Sequence, residues 1–349
     1  MSTLCPKVTV LMPVYNGERF LHDSIKSILQ QTFEDFEFLI IDDGSSDASN
    51  EVVESFKDSR IRLRKNKNNS GLVNVLNDGL RFARGDYVAR MDCDDISLPE
   101  RLAAQVAFLE AHPRVGVCGT WYRSFGDGGG RVTRTPTEPE DIRAGMLFKS
   151  VIGHPTVMFN RELLQRHKLR YDSRFVHVED YELWARALGC FDMANVGKVL
   201  LRYRVHGGQI SARFCKEQQK RVEAVRMPMF EALGIVPSAD ELRLHRLLSR
   251  PLSEMGQALI EDPEGNAPER VLLWLGKLQG KNLELAVFPQ KAFTEILLER
   301  WLGFWLSGMR RGKGLLRGAV FPEFLRLAGH GPGYLAGYLV RKGRLYARG

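Results

Sequence analysis

Gly85-Asp-Tyr-Val-Ala-Arg-Met-Asp-Cys-Asp-Asp95 is an apolar run of strand type that breaks off in three carboxylates, Asp92, Asp94 and Asp95. Carboxylates this close repel one another and raise each other's pKa unless a cation sits among them. Oxygen ligands suit a hard divalent ion such as Mg²⁺ or Mn²⁺, so an acidic cluster at a strand's end is a candidate metal site. The same residues also suit the start of a helix. Ser97-Leu-Pro-Glu100 has the spacing of a capping box, and acids are favourable at helix N-termini. On these residues alone both readings stand.

Outward from this stretch, short apolar runs alternate with helix-period segments. Strands are expected at Val8–Val14, Phe36–Ile41, Ile61–Arg64, Tyr87–Met91 and Val115–Gly119. Between them Leu21, Ile25, Ile28 and Leu29 share a helical face, as do Val52, Val53 and Phe56, then Leu72, Val73, Leu76 and Leu80, then Leu102, Val106 and Leu109. This β-α-β-α order predicts an α/β domain with a mostly parallel sheet covered by helices. Ligands of such sheets bind beyond the carboxyl ends of the strands. Three of those ends are polar here: Tyr15-Asn16-Gly17, Asp42-Asp43-Gly44-Ser45 and the acidic cluster, which points to one polar site.

Past Gly119 the pattern changes. Gly126-Asp-Gly-Gly-Gly130, flanked by Trp121–Phe125 and Arg131–Thr135, is predicted to be a hairpin turn, because a phosphate loop would need Lys-Ser/Thr and a helix after it. Glu138–Phe148 has a helical pattern, Gly153–Phe159 reads as a strand approached by a loop, Val178–Trp184 as an acidic helix start, and Val196–Val205 as a pair of β-like runs. From Arg213 the chain turns helical, with segments at Val222–Leu233, Leu242–Leu259, Pro268–Leu278 and Phe293–Leu306. The expected division is a catalytic domain over 1–212 and a helical, basic region over 213–349.

At 349 residues, 44% apolar and 26% charged, the composition is that of a globular protein. No apolar run approaches the roughly 18 residues of a spanning helix. Val8–Val14 lacks the basic flank of a signal peptide. Five scattered cysteines with no C-x-x-C pair argue against a disulfide framework or a zinc site, and a reducing cytosol fits them best. The net charge of +8 lies wholly in residues 301–349, which hold nine basic side chains against one acid, Glu323. A neutral body with a basic tail suggests an anionic partner, either a membrane face or nucleic acid, although a solvated helical cap would have the same composition.

Together, Val10-Leu-Met-Pro-Val-Tyr-Asn-Gly17, Ile40-Ile-Asp-Asp-Gly-Ser-Ser-Asp47 and Ala89-Arg-Met-Asp-Cys-Asp-Asp-Ile96 with Pro99-Glu-Arg101 resemble family 2 glycosyltransferases of the GT-A fold. Gly153-His-Pro-Thr-Val-Met-Phe159, Val178-Glu-Asp180 and Tyr203-Arg-Val-His206 fit that family's bacterial polysaccharide branch. The resemblance spans roughly residues 7–210. It implies a Rossmann-like, mostly parallel sheet with helices on both faces. It also implies a nucleoside-diphosphate sugar as donor, with Pro13, Tyr15 and Asp43 at the base and ribose and Asp42 beside them. Asp92, Asp94 and Asp95 correspond to the DXD-type metal motif that would bring Mn²⁺ or Mg²⁺ to the donor diphosphate. Asp180, aided by Glu179, matches the catalytic base. His154 is mapped to the sugar or diphosphate side and His206 to the metal side; for each, a purely structural hydrogen-bonded role remains an alternative.

The chemistry explains these residue types. Cleavage of the anomeric C–O bond builds positive charge on the sugar ring and negative charge on the leaving diphosphate. A divalent ion stabilises the second charge as a Lewis acid. The attacking hydroxyl must lose a proton, which one carboxylate can take. Attack from the opposite face inverts the anomeric carbon. The Gln-x-x-Arg-Trp element of processive synthases is absent, so transfer of one sugar at a time is expected. The acceptor is expected to be a saccharide or a lipid-linked saccharide, with the protein cytoplasmic and peripheral on the inner membrane face. Two other readings are a nucleotide-sugar nucleotidyltransferase, which would need a basic Gly-rich loop where Tyr15-Asn16-Gly17-Glu18 stands, and a non-enzymatic nucleic-acid-binding protein using the basic tail. Nucleic acid is the less favoured partner.

Overall fold

The computed structural model describes residues 5–127, 129–207, 215–250 and 267–309. Its two compact units are Met1–Ile142 with Ser150–Val225, and Arg143–Lys149 with Arg226–Gly349. Of the basic segment 301–349 only 301–309 lies within the described residues, and the expected Leu242–Leu259 helix is described only to residue 250.

The first unit opens with β1 (Val8–Val14), α1 (Glu18–Leu29), β2 (Phe36–Asp42), α2 (Ser49–Ser55), β3 (Ile61–Lys65), α3 (Leu72–Phe82) and β4 (Tyr87–Arg90). It continues with β5 (Ile96–Ser97), α4 (Arg101–Ala111), β6 (Val115–Gly126), β7 (Val132–Thr133) and α5 (Pro139–Gly145), whose last residues already belong to the second unit. Then come β8 (Met158–Asn160), α6 (Arg161–Arg166), α7 (Glu179–Ala187) and β9 (Asp192–Val205). Among the described residues nine strands make one sheet in the order β3-β2-β1-β4-β8-β6-β9-β5, with β7 added to β6. The strands β3, β2, β1 and β4 are mutually parallel, whereas β8 runs antiparallel to both β4 and β6.

The two sides of β1 show how both faces of the sheet are covered. Val8, Val10, Met12 and Val14 pack with Leu21, Ile25 and Ile28 of α1 and Leu102, Val106 and Leu109 of α4. On the other side Leu11 meets α3 so closely that a Cβ on Gly79 would sit 2.3 Å from its side chain. Strands covered on both faces become continuously apolar, and β1 and β2 are buried along their whole length. This arrangement leaves the strand ends as the place for polar groups.

Two local expectations need adjustment. Ser97 does not cap a helix: it lies in β5, paired with Leu201 of β9, and α4 starts after Glu100 without a side-chain cap of its own. Gln31, just beyond α1, does that work instead. Its Oε1 accepts the Leu102 N–H at 3.0 Å, and its Nε2 donates to the Leu98 carbonyl at 2.8 Å. Val196–Val205 is not a pair of runs but part of one strand, because its pairing with β6 passes from Thr120↔Val196 to Trp121↔Val199 and absorbs Gly197 and Lys198 as a bulge. The runs on either side of 126–130 do pair antiparallel as a hairpin, with Tyr122 opposite Thr133.

The second unit contains the helices α8 (Cys215–Ala232, shared with the first unit up to Val225), α9 (Ala239–Leu248), α10 (Ala267–Leu285) and α11 (Gln290–Met309). Ser238 and Glu241 form a full capping box on α9. His245 donates from Nε2 to the Leu147 carbonyl at 2.9 Å and accepts the Trp274 indole N–H on Nδ1 at 3.3 Å. Burial and Arg226 hold this imidazole well below its usual pKa and therefore neutral, which that bonding pattern requires.

Candidate active site at the strand ends

The ends of β1 and β2 are adjacent because the strands are parallel and in register, Val14 facing Asp42, and the Asp43 N–H donates to the Val14 carbonyl at 2.8 Å. Pro13 is buried within β1, while Tyr15, 52% exposed, projects from the loop after it. Asp43 organises the loop before α3: its carboxylate accepts from Asn66 Nδ2 at 2.8 Å, Ser70 Oγ at 2.7 Å, and the N–H groups of Ser70 and Gly71. Burial pushes Asp43 up, but the bonds from Asn66, Ser70 and Gly71 outweigh it and hold the acid below its ordinary value. It is a carboxylate at neutral pH. Asp42 accepts the Ser45 N–H and Asn50 Nδ2 on Oδ2, and its buried Oδ1 has no partner.

At the end of β4 the acidic cluster closes up: one oxygen each from Asp92, Asp94 and Asp95 can lie within 4.8 Å of the others. Arg90, 3% exposed, grips Asp92 with both arms, at 2.8 Å from one nitrogen and 2.5 Å from the other. The end of β9 supplies the rest. Arg204 donates its backbone N–H to Asp95 Oδ1 at 2.8 Å and its Nε to the Asp94 carbonyl at 2.7 Å, and His206 Nε2 lies 3.0 Å from Asp94 Oδ2. Burial, opposed by Arg90 and reinforced by Asp94, raises Asp92, and burial with the charges of Asp92 and Asp94 raises Asp95 well above the usual range. Asp95 Oδ2 is buried with no partner. Three converging carboxylates with an orphaned buried oxygen among them offer hard oxygen donors at one point, so these residues fit a divalent cation. Cys93, between the acids, is an inert filler: burial and the charges of Asp94 and Asp92 push its thiol up, and its sulfur lies 3.0 Å from where a Cβ on Gly17 would stand.

The first turn of α7 carries Glu179 and Asp180. Burial, with help from Glu179, raises Asp180 to about 6. Glu179, 6% exposed with an unpartnered Oε2, is raised by burial, and the nearby Arg90 pulls it down. Arg90 thus binds Asp92 directly, and its charge also lowers both α7 acids. His154 joins neither group by a hydrogen bond among the described residues; its Nε2 meets the Tyr171 hydroxyl at 2.8 Å and its ring packs edge-on to Trp184 of α7. Burial and Arg90 keep it well below its usual pKa, hence neutral.

The principal residue missing from the sequence reading is Arg90. A charged residue inside the apolar run of a central strand must be paired when buried, and that was the available signal. Arg101, fully buried, donates to the Arg90 carbonyl at 2.6 Å, and burial lowers it to about 10. Tyr171 and the Asn66–Gly71 loop left no readable signal, because only the fold brings them to Arg90 and Asp43.

A mostly parallel α/β sheet whose strand ends gather acids in this way has the GT-A architecture. The Glycosyl transferase family 2 model matches residues 9–168. An uncharacterized glycosyltransferase of Haemophilus influenzae is 33% identical over 241 residues, covering 64% of this chain and 72% of the relative. Escherichia coli WfgD, a UDP-Glc:α-D-GlcNAc-diphosphoundecaprenol β-1,3-glucosyltransferase, is 32% identical over 217 residues, covering 61% of this chain and 83% of its own. The S. aureus TarS 1–349 structure in complex with UDP-GlcNAc shares the fold with a TM-score of 0.56 at 16% identity, over 89% of this chain and 93% of that one. The chain belongs to glycosyltransferase family 2 and is a glycosyltransferase.

Proposed function

We propose that this enzyme inverts the anomeric carbon while moving one sugar from a nucleoside-diphosphate donor, uridine-linked by preference, to a saccharide carried on a lipid phosphate in bacterial polysaccharide biosynthesis. The observation that supports the reading is Arg90, bound through both guanidinium nitrogens to Asp92 and near enough to Glu179 and Asp180 for its charge to lower both, which links the acid cluster to the candidate base. In support of the acceptor class, WfgD acts on a diphosphoundecaprenol-linked sugar.

Asp180 takes the proton of the attacking hydroxyl, burial and then Glu179 keep that acid's pKa raised, and Arg90 fixes Asp92. Asp92, Asp94 and Asp95 would hold a Mn²⁺ or Mg²⁺ ion, with His206 orienting Asp94; when bound, the ion supplies Lewis-acid stabilisation of the leaving diphosphate. Pro13, Tyr15, Asp42 and Asp43 form the base and ribose side, and His154 supports the sugar side through Tyr171. Residues 1–212 perform transfer, and 213–349 serve as an acceptor or membrane contact at the cytoplasmic face. No described helix is long and apolar enough to cross a membrane.

A donor panel with Mn²⁺ and a GlcNAc-diphosphate-lipid acceptor, read by nucleoside diphosphate release, tests the reading. Release from one uridine donor, dependent on acceptor and abolished by a chelator, is the expected outcome. Acceptor-dependent release that survives chelation would remove the metal, and no release from any donor would remove the donor assignment.

A further inference from the structure

Running outward from Arg204 at the cleft, through Phe20 to Arg19 and through Phe125 to Arg202, guanidinium groups and rings alternate in a ladder. The Arg19 guanidinium lies 4.8 Å from the Phe20 ring centre, that of Arg204 lies 4.3 Å from the same ring and 4.4 Å from Phe125, and that of Arg202 lies 4.5 Å from Phe125. Three elements build it: α1 brings Arg19 and Phe20, β6 brings Phe125, and β9 brings Arg202 and Arg204. Arg204 is the in-register partner of Phe125, and Arg202 that of Arg123. Positions two apart share a strand face, so Arg123 joins the ladder's side, while Tyr122 and Tyr203 pair at 5.6 Å on the other.

This is an expensive way to arrange charge. Like charges opposite one another on neighbouring strands are destabilising, yet Arg123 and Arg202 face each other in register, and both are exposed together with Arg19. Among the described residues none of these three has a carboxylate partner. A guanidinium stacked on a ring is held with its donor fork pre-oriented, which favours bidentate binding of phosphate oxygens. The inner rung is tied to the reaction centre, since Arg204 contacts Asp94 and Asp95 through its Nε and its backbone N–H.

We propose that the ladder seats the diphosphate through which the acceptor sugar is joined to its lipid; the inference rests on the acceptor class proposed above. An anion bound there would relieve the repulsion between the arginines and hold the acceptor by its charged end beside the acid cluster. A phospholipid surface is the poorer occupant, because the ladder runs inward from exposed Arg19 and Arg202 to half-buried Arg204 instead of spreading over one flat face.

The test uses the full chain, with decyl diphosphate as probe and a chelator present, so that binding through a divalent ion is not scored. Replacing both exposed rungs (Arg19→Gln with Arg202→Gln) is expected to weaken probe binding at least tenfold, and each single change at least threefold, while binding to phosphatidylcholine vesicles containing phosphatidylglycerol stays as in the parent. The single variants keep the test decisive if the double variant does not fold. Unchanged probe affinity in the variants overturns the proposal. An equal loss of vesicle binding also overturns it and makes the strip a membrane contact. Donor turnover is read separately: if it fails while probe binding maps to the ladder, the glycosyltransfer mechanism falls and the anion site stands, and the reverse result leaves the mechanism without this site.

Discussion

Asp180 shows how burial prepares a single side chain. A carboxylate with an ordinary pKa near 4 is fully ionised at neutral pH but a weak proton acceptor, whereas burial beside Glu179 brings Asp180 to about 6, closer to the working range of a general base. In the proposed role as base the ionised form is the active one, so kcat should rise with pH through about 6 and fall tenfold per unit below it. The sign for stability is opposite. With the folded value raised above the unfolded one, Asp180 contributes stability below the unfolded pKa, and that contribution is lost as pH rises through about 6. Asp180→Asn is expected to lower kcat about 10²- to 10⁴-fold with donor affinity retained, as read by steady-state kinetics and calorimetry. A variant with parental kcat would move the base elsewhere. Arg90 acts differently, as a buried counter-charge. Arg90→Met leaves Asp92 without its bidentate partner and should cost about 3–5 kcal/mol in chemical denaturation; a loss under 1 kcal/mol would mean that Asp92 finds compensation in solvent.

At the level of elements, the start of α4 is fixed from another helix. Gln31 stands just past α1, yet its side-chain amide satisfies the Leu102 N–H and the Leu98 carbonyl and touches Ser97 Oγ at 3.2 Å, so the segment after the acid cluster is held by α1. Gln31→Ala strands these buried groups and is expected to destabilise the protein by about 1–3 kcal/mol. The measurement is a denaturant midpoint, and an unchanged midpoint would show that water replaces the amide. The local sequence suggested a self-contained cap at Ser97–Glu100. The helix starts after Glu100, three residues beyond Ser97, whose backbone pairs with Leu201 and whose hydroxyl is engaged by Gln31.

At the scale of the whole molecule, charge separates along the chain. The formal +8 lies in residues 310–349, beyond the described residues, whereas the strand ends of the first unit gather acids. Binding of the full chain to anionic vesicles is expected to weaken steeply between low salt and about 0.5 M, as for a screened polybasic contact, and to be lost on deletion of 310–349. Vesicle flotation reads both effects, and salt-independent binding would point to apolar insertion instead.

The sequence by itself determined the alternation of strands and helices, the polar strand ends and the motif residues, because periodicity and abrupt carboxylates are local properties. Membership of the family followed from the order of those motifs. Tertiary structure alone decided which groups meet: Arg90 with Asp92, Asp43 with Ser70 and Gly71, Arg204 and His206 with Asp94, and the arginine–phenylalanine ladder. These partners lie on strands and loops up to 112 residues apart, as His206 and Asp94 do. Hydrogen bonds and burial energies depend on distances in space that no sequence spacing encodes, and burial is also what raises Asp180 from an ordinary carboxylate to a pKa of about 6.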